Sequence, residues 1–220
     1  MQTADSTINN FSRDSVNYLK YFADHLMQLN TQLPVIFKKN IIINGAPLIN
    51  EGDRFDTNRT RLLFEGEIPI DYLDAIIIAR PIDKKALYFD FTALRDNDKA
   101  IASFSEVHSD FTELEKCCEH LASMDGIMLQ LTVLKHQLPL VYEQAIFCAW
   151  LGVTLMRQLK RNSSDIFNVF MLAMIHDVGL LHVPKEFVKS RKHFSCRQLR
   201  MLQAHCAVGF YVLKRVTRVP

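Results

Sequence analysis

The sequence lacks several features that would assign it to a class at once. Its N-terminus, MQTADSTINNFSRDS, has neither the basic start nor the apolar stretch of a signal peptide. The longest nearly apolar run, residues 145–156, is too short to cross a bilayer, so it predicts a core helix and not a transmembrane segment. We find no internal repeat and no low-complexity tract. These absences favour a globular, cytoplasmic protein.

Cysteine occurs in an odd number and never as a CxxC pair. This pattern is not that of a disulfide framework or of a zinc ribbon, and it predicts reduced thiols in a cytoplasm. The five cysteines are Cys117, Cys118, Cys148, Cys196 and Cys206.

The composition is that of a folded chain with an uneven charge distribution. Hydrophobic residues make up 49% of the 220 residues and charged residues 23%, which suits one large domain or two small ones. Residues 184–220 hold nine Lys or Arg and one acid, whereas the remainder has a net charge of −6. Charge alone favours a solvated basic face that balances an acidic first part. The alternative is a surface that attracts phosphate beside a functional site.

The first third of the chain predicts a helix followed by a small module built on a hairpin. Asn44-Gly45 is a strong hairpin signal because both residues tolerate a positive φ. Asp56 is placed to cap a short helix, which Gly66 would end. The predicted elements are a helix over 12–31, two strands within 35–49, a helix over 57–65, and strands over 74–79 and 86–91.

From about residue 97 the pattern turns helical, so the predicted fold class is α+β. Gly126 is expected to break the first helical stretch. The later helices are predicted over 127–137, 140–160, 164–180 and 195–216. We therefore predict an N-terminal helix (1–33), a small α+β regulatory module (34–95), a helical connector (96–125) and a helical bundle (126–220).

The segment MLAMIHDVGLLHVP, residues 171–184, places a His-Asp pair in an apolar setting. Burying an ionised carboxylate is costly without a partner, and the partner of Asp177 would be a metal ion, a buried cation or a hydrogen bond. His205 lies on the next long helix among apolar residues and has the same need. Ligand-type side chains on successive helices meet in bundle metal sites, so His176, Asp177 and His205 are candidate ligands. The alternative is a hydrogen-bonded core pair, and His182 is interpreted as a surface or hydrogen-bonded histidine.

Residues 176–213 resemble the first half of an HD-GYP domain, a branch of the HD metal-dependent phosphohydrolases. The matching features are His-Asp-x-Gly, a Pro five residues after that Gly, a hydrophobic and basic stretch, and His-x-x-x-Gly beginning twenty-nine residues after the first His. The resemblance extends back to about residue 140, and NGAPLINEG (44–52) is similar to modules that precede such domains. It implies a bundle in which His176, Asp177 and His205 hold divalent ions, iron or manganese, for hydrolysis of cyclic di-GMP.

The sequence departs from the family at two site positions. A ligand His is expected about thirty-two residues before His176, where this chain has Gln144, a poor ligand. A Lys that acts on the phosphate is expected directly after His-Asp-x-Gly, where this chain has Leu180. No residue is therefore assigned a catalytic role. The chain also reaches Pro220 before the family's paired-His segment and Gly-Tyr-Pro loop, so we expect either a longer protein or a second chain that covers exposed apolar surface.

Two functions of different kinds follow. One is a cyclic di-GMP phosphodiesterase that is weakly active or inactive as given, because a ligand and an essential charge are replaced. The other is a non-catalytic HD-like signalling module that binds a protein partner or a nucleotide. In both, the N-terminal module would regulate or dimerise. The expected partners are a cyclic dinucleotide, a signalling protein or a second copy, and no nucleic acid.

Overall fold

The protein is mainly helical, with two small antiparallel sheets in its N-terminal part. The computed structural model describes residues 21–43, 45–59, 75–97, 99, 101–103, 111–189 and 194–216. The chain forms two compact units, the first made of Met1–Ala79 with Gly179–Pro220 and the second of Arg80–Val178. The combination of helices with antiparallel sheets confirms the predicted α+β class. The predicted domain boundaries at 33, 95 and 125 stay predictions.

The elements follow one another in a simple order. Residues 21–29 form α1. The strands are β1 (Val35–Phe37), β2 (Ile41–Ile43), β3 (Ala46–Ile49) and β4 (Ile76–Ile78). The helices of the second unit include α2 (Lys84–Asn97), α3 (Phe111–Ala122), α4 (Asp125–Gln137), α5 (Pro139–Gln158) and α6 (Ser163–Ile175). A 3-10 helix (Val178–His182) then leads to α7 (Lys185–Lys189), α8 (Cys196–Gln203) and α9 (His205–Val216).

The predicted hairpin is present as β2 and β3, but the two strands predicted within 35–49 are three, because residues 35–37 form the separate strand β1. Gly45 has a φ of +80°, a conformation that glycine adopts without strain, and Ile43 pairs with Ala46 next to it. Asn44 lies outside the described residues. The strand predicted over 74–79 is confirmed as β4, which pairs with β1 and not with the hairpin.

The predicted start of the short helix after Asp56 is confirmed as far as the structure describes it. Residues 57–59 are helical, and the Arg59 N–H donates to Asp56 Oδ1 at 2.8 Å. This hydrogen bond holds the pKa of Asp56 below its ordinary value. The rest of the predicted helix and Gly66 lie outside the described residues, as do residues 12–20 of the first predicted helix.

The strand predicted over 86–91 is wrong, because this segment belongs to α2. Asp83 caps the helix, since the Ala86 N–H donates to its Oδ1 at 2.7 Å. Leu87 and Phe91, one turn apart, are fully buried on the inner face. The aromatic and apolar residues of this segment are compatible with a strand. The four-residue spacing of Leu87 and Phe91 and the cap at Asp83 instead favour a helix.

Three other helix boundaries differ from the prediction. Gly126 lies inside the first turn of α4, and the chain breaks earlier, at Ser123 and Met124. The helix predicted over 164–180 ends at Ile175, and the chain continues as the 3-10 helix. The helix predicted over 195–216 is two helices, separated at Ala204.

The second unit packs its helices around a shared apolar core. Phe91 of α2 lies with its ring centre 5.6 Å from that of Phe170 of α6. α5 and α6 pack closely because Gly152 has no side chain; a Cβ there would lie 2.8 Å from Val169 Cγ1. This packing fixes α6, whose C-terminal end holds His176.

Two helical stretches, Pro139–Gln158 and Ser163–His182, have the length and apolar composition of a membrane span. Core helices of soluble proteins share these properties, and part of each stretch is buried inside the protein. The prediction that the chain has no transmembrane segment therefore stays a prediction.

Candidate functional site

His176 and Asp177 lie at the end of α6 and not within its apolar body. His176 is the C-cap residue, and its side chain is 41% exposed, whereas that of Asp177 is 17% exposed. His176 Nδ1 lies 2.7 Å from the carbonyl oxygen of Ala173, and its Nε2 lies 3.1 Å from Asp177 Oδ2. The imidazole and the carboxylate are thus already held next to each other at the C-terminal end of the helix.

His205 begins α9 and is half-buried. Its Nδ1 faces the carbonyl oxygen of Leu202, and its Nε2 lies 3.3 Å from Cys206 Sγ. The predicted core-facing stripe around His205 is incomplete, because Val208 is buried while Leu199 is 44% exposed. Leu199 and Val208 lie on two different helices, which are separated at Ala204.

A very close backbone contact joins the two glycines of the candidate motifs. A Cβ added to Gly179 would lie 1.9 Å from the carbonyl oxygen of His205 and 2.9 Å from the Gly209 nitrogen. Gly179 does not have a positive φ, so the requirement for glycine there is steric. The 3-10 helix and α9 can approach this closely only because Gly179 and Gly209 both lack side chains.

The two positions that depart from the family have different environments. Leu180 is only 9% exposed and belongs to the apolar core, whereas Gln144 is exposed on α5. The surface interpretation of His182 is wrong, because its side chain is fully buried and stacks on Phe22 with ring centres 5.0 Å apart. Tertiary packing of α1 against the 3-10 helix buries this histidine.

The basic run after Pro184 is partly engaged and partly solvated. Lys185 Nζ donates to Gln28 Oε1 at 3.1 Å, which fixes one cation within the first unit. Arg197 and Arg200 of α8 are exposed. These two arginines suit either a solvated basic face or a surface that attracts anions.

The three predicted ligands are divided between the units, His176 and Asp177 in the second and His205 in the first. Within the part of the chain that the structure describes, no group of three or more His, Cys, Asp or Glu side chains is placed to hold a metal ion. One imidazole nitrogen and one carboxylate, as His176 and Asp177 provide, fit part of the shell of a borderline divalent ion.

A polar cluster within the second unit is absent from the sequence prediction. Lys135 Nζ donates to both carboxylate oxygens of Asp90, at 2.8 and 2.7 Å, and the Tyr142 hydroxyl donates to Asp90 Oδ2 at 2.7 Å. The Lys135 ammonium also lies 5.5 Å from the centre of the Tyr142 ring. Burial, followed by the charge of Asp90, raises the pKa of Tyr142, so this hydroxyl stays a proton donor. The sequence feature that could have indicated this cluster is Asp83, because its helix cap places Asp90 on a helix.

All five cysteines are free thiols in the structure. Burial, with a smaller contribution from Glu113, raises the pKa of Cys117 to about 11. Burial also raises the pKa of Cys118, which is fully buried. Cys196 and Cys206 are exposed. The structure thus contrasts two classes of thiol, the buried Cys117 and Cys118 and the exposed Cys196 and Cys206; Cys148 is half-buried and belongs to neither.

We expect a thiol reagent such as dithionitrobenzoate to separate these classes at pH 8. Cys196 and Cys206 react rapidly, whereas Cys117 and Cys118 react only as the protein unfolds, because a buried, protonated thiol is a poor nucleophile. Absorbance at 412 nm with time measures both phases, and guanidinium releases the slow one as the control. A single fast phase for all five thiols in native buffer would contradict the structure.

Comparison of the chain with family models, with curated proteins and with solved structures gives no match. The functional assignment therefore depends on the residues themselves.

Proposed function

We propose that the helical part of the chain is an HD-type bundle related to the HD-GYP phosphohydrolases. In this proposal His176, Asp177 and His205 are ligands of divalent metal, and cyclic di-GMP is hydrolysed weakly or not at all. The observation that carries the proposal is the backbone contact between Gly179 and the α9 segment of His205 and Gly209. It gives a physical reason why His-Asp-x-Gly and His-x-x-x-Gly occur together.

The hydrogen bonds of the two histidines support a role as ligands. In each, Nδ1 faces a backbone carbonyl three residues earlier, Ala173 for His176 and Leu202 for His205. A carbonyl accepts, so Nδ1 carries the proton and the lone pair of a neutral ring lies on Nε2. This is the tautomer that an Nε2 metal ligand requires, with its other nitrogen held by a carbonyl.

His176 Nε2 and Asp177 Oδ2 lie 3.1 Å apart, so a ring nitrogen and a carboxylate oxygen stand side by side, where a proton or a divalent ion would be shared by both. A divalent ion, bound by both side chains, would polarise a water molecule and neutralise phosphodiester oxygens.

Leu180 and Gln144 support weak or absent turnover. Leu180 offers neither charge nor a proton, and its side chain is buried, with only 9% of it exposed. Gln144 is a neutral amide on an exposed face of α5. Loss of one charged group at a phosphoryl site commonly costs about a hundredfold or more in rate.

Metal analysis of the purified protein tests this proposal. With manganese or ferrous iron in the buffer, we expect bound metal in the wild type and its loss in His176→Ala, because the imidazole contributes directly to affinity. His136→Ala, which removes an exposed histidine of α4, is the matched control and should retain the metal. Equal metal content in all three proteins refutes the assignment.

A parallel assay with cyclic di-GMP distinguishes the two functions. Slow, metal-dependent release of the linear dinucleotide, lost in Asp177→Asn, would establish an enzyme. The alternative function is a non-catalytic signalling module, which the buried Leu180 favours. It predicts nucleotide or partner binding in calorimetry without cleavage. In either case we propose a cytoplasmic protein whose N-terminal module is regulatory and which does not bind nucleic acid.

A further inference from the structure

The second unit exposes a row of large apolar side chains along α5. Leu140, Phe147, Leu155 and Leu159 are 78%, 38%, 49% and 65% exposed, and Leu151 between them is half-buried. Phe147, Leu151 and Leu155, here named the α5 stripe, recur every four residues and so share one face of the helix. Continuous exposed apolar surface of this kind marks an interaction site.

Phe147 packs partly against Trp150 of its own helix, with ring centres 5.9 Å apart, but the stripe keeps an exposed apolar face. The opposite side of α5 fills the core with the buried residues Ala145, Ala149 and Val153, and α6 packs at Gly152. A helix that is apolar on both sides is one that contacts neighbours on both sides. Among the described residues, packing neighbours cover the buried side of α5, whereas the stripe stays exposed.

We propose that the α5 stripe pairs with the same stripe of a second copy, antiparallel, about a two-fold axis at Leu151. Such an axis places residues equally far before and after Leu151 opposite each other. Leu151 then meets its own counterpart, and Phe147 meets Leu155 of the second copy. The stripe is thus complementary to itself, which is the requirement of a two-fold interface.

The charges at the two ends of α5 favour the same arrangement. Glu143 is the only acid in α5, whereas Lys160 and Arg161 follow its end, and all three are exposed. The proposed axis places Glu143 opposite residue 159 of the second copy, next to those cations, and symmetry repeats the attraction at the other end. A parallel pairing would instead bring like charges together.

The same charges disfavour a lipid surface as the occupant. A helix that lies on a membrane has Lys and Arg along its polar side, where they meet anionic headgroups. Beside the α5 stripe the basic residues lie only at one end, and Glu143 and Gln144 lie at the other. This inference goes beyond the proposed metal site and does not depend on it.

Sedimentation equilibrium of the full chain tests the pairing. We expect a species of twice the 25.4 kDa chain mass. Leu151→Glu places two carboxylates against each other at the axis, so it should raise the dimer dissociation constant at least about tenfold. Leu172→Glu is the matched control, since Leu172 is 59% exposed but lies on α6 outside the stripe; it should leave the constant unchanged.

A charge reversal tests the antiparallel register with variants whose side chains are exposed and whose folding is therefore not at risk. Glu143→Lys alone should weaken the dimer, and Glu143→Lys with Lys160→Glu should restore it. A monomeric wild type, or a dimer that Leu151→Glu leaves intact, would overturn the proposal. A monomer that binds phosphatidylcholine–phosphatidylglycerol vesicles through Leu151 would also overturn it and assign the stripe to lipid.

Discussion

Gly179→Ala should destabilise the protein by about 3 kcal/mol or more, the largest effect that we expect from a single added methyl group. The new Cβ would lie 1.9 Å from the His205 carbonyl oxygen, and the clash involves backbone that cannot turn aside as a side chain can. Either the 3-10 helix or α9 must move. Urea denaturation, followed by circular dichroism, gives the change in the free energy of unfolding.

Gly209→Ala is the control on the other side of the same contact. A Cβ at Gly209 would lie 3.3 Å from the nearest atom, the Gly179 nitrogen, so a shift of a few tenths of an ångström accommodates it. Alanine also gains about 1 kcal/mol of helix propensity over glycine inside α9. We expect a net change within about 1 kcal/mol. If Gly179→Ala proves as mild as Gly209→Ala, the close contact is wrong, and with it the observation that carries the proposed family relation.

Asp90→Ala should cost about 2–3 kcal/mol of the free energy of unfolding. The substitution removes the acceptor of both Lys135 and Tyr142 and leaves a half-buried ammonium and a buried hydroxyl without it. Lys135 is 34% exposed, so water partly solvates it and the loss stays below that of a fully buried pair. Thermal and urea melts of the full chain measure the loss.

Asp96→Ala on the same helix provides the matched control. Asp96 pairs with Arg95 at 2.8 Å, but its side chain is 62% exposed, so solvent screens the pair and we expect its loss to change stability little. Both substitutions replace Asp by Ala on the same helix, and at Asp96, in the last turn, the change also removes an unfavourable interaction of the carboxylate with the helix dipole. Tyr142→Phe should cost about 1 kcal/mol, the value of one hydrogen bond. Equal melts for Asp90→Ala and Asp96→Ala would show that the cluster adds no stability.

Short sequence patterns predicted those elements of the fold that depend on neighbouring residues alone. The hairpin followed from Gly45, whose positive φ a turn requires, and the strand at β4 followed from its run of isoleucines. The pairing of β4 with β1 joins residues about forty positions apart, and no neighbouring letters encode it. Residues 86–91 were misassigned because Tyr and Phe suit both a strand and a helix, and the deciding cap at Asp83 lay outside the segment.

The candidate site was predictable only as far as its motif. The apolar helix and Gly179 placed His176 and Asp177 near a helix end, as the structure has them. The burial of His182 depends on Phe22, and the Asp90 cluster joins three helices through contacts of 45 and 52 residues in sequence. Such long-range contacts arise from tertiary packing, which sequence spacing does not encode.

The first unit consists of two separate stretches of sequence, residues 1–79 and 179–220. The sequence of the second unit is inserted between these two stretches. During synthesis the early half emerges while its partner is still untranslated. At 5–20 residues per second, the intervening 99 residues take roughly 5–20 s to make. Throughout that time Phe22 and Gln28 lack the His182 and Lys185 that they contact in the finished protein. The second unit can therefore complete its core before the first unit does. Until residues 179–220 are made, the apolar surface of the first 79 residues is what a chaperone would have to protect.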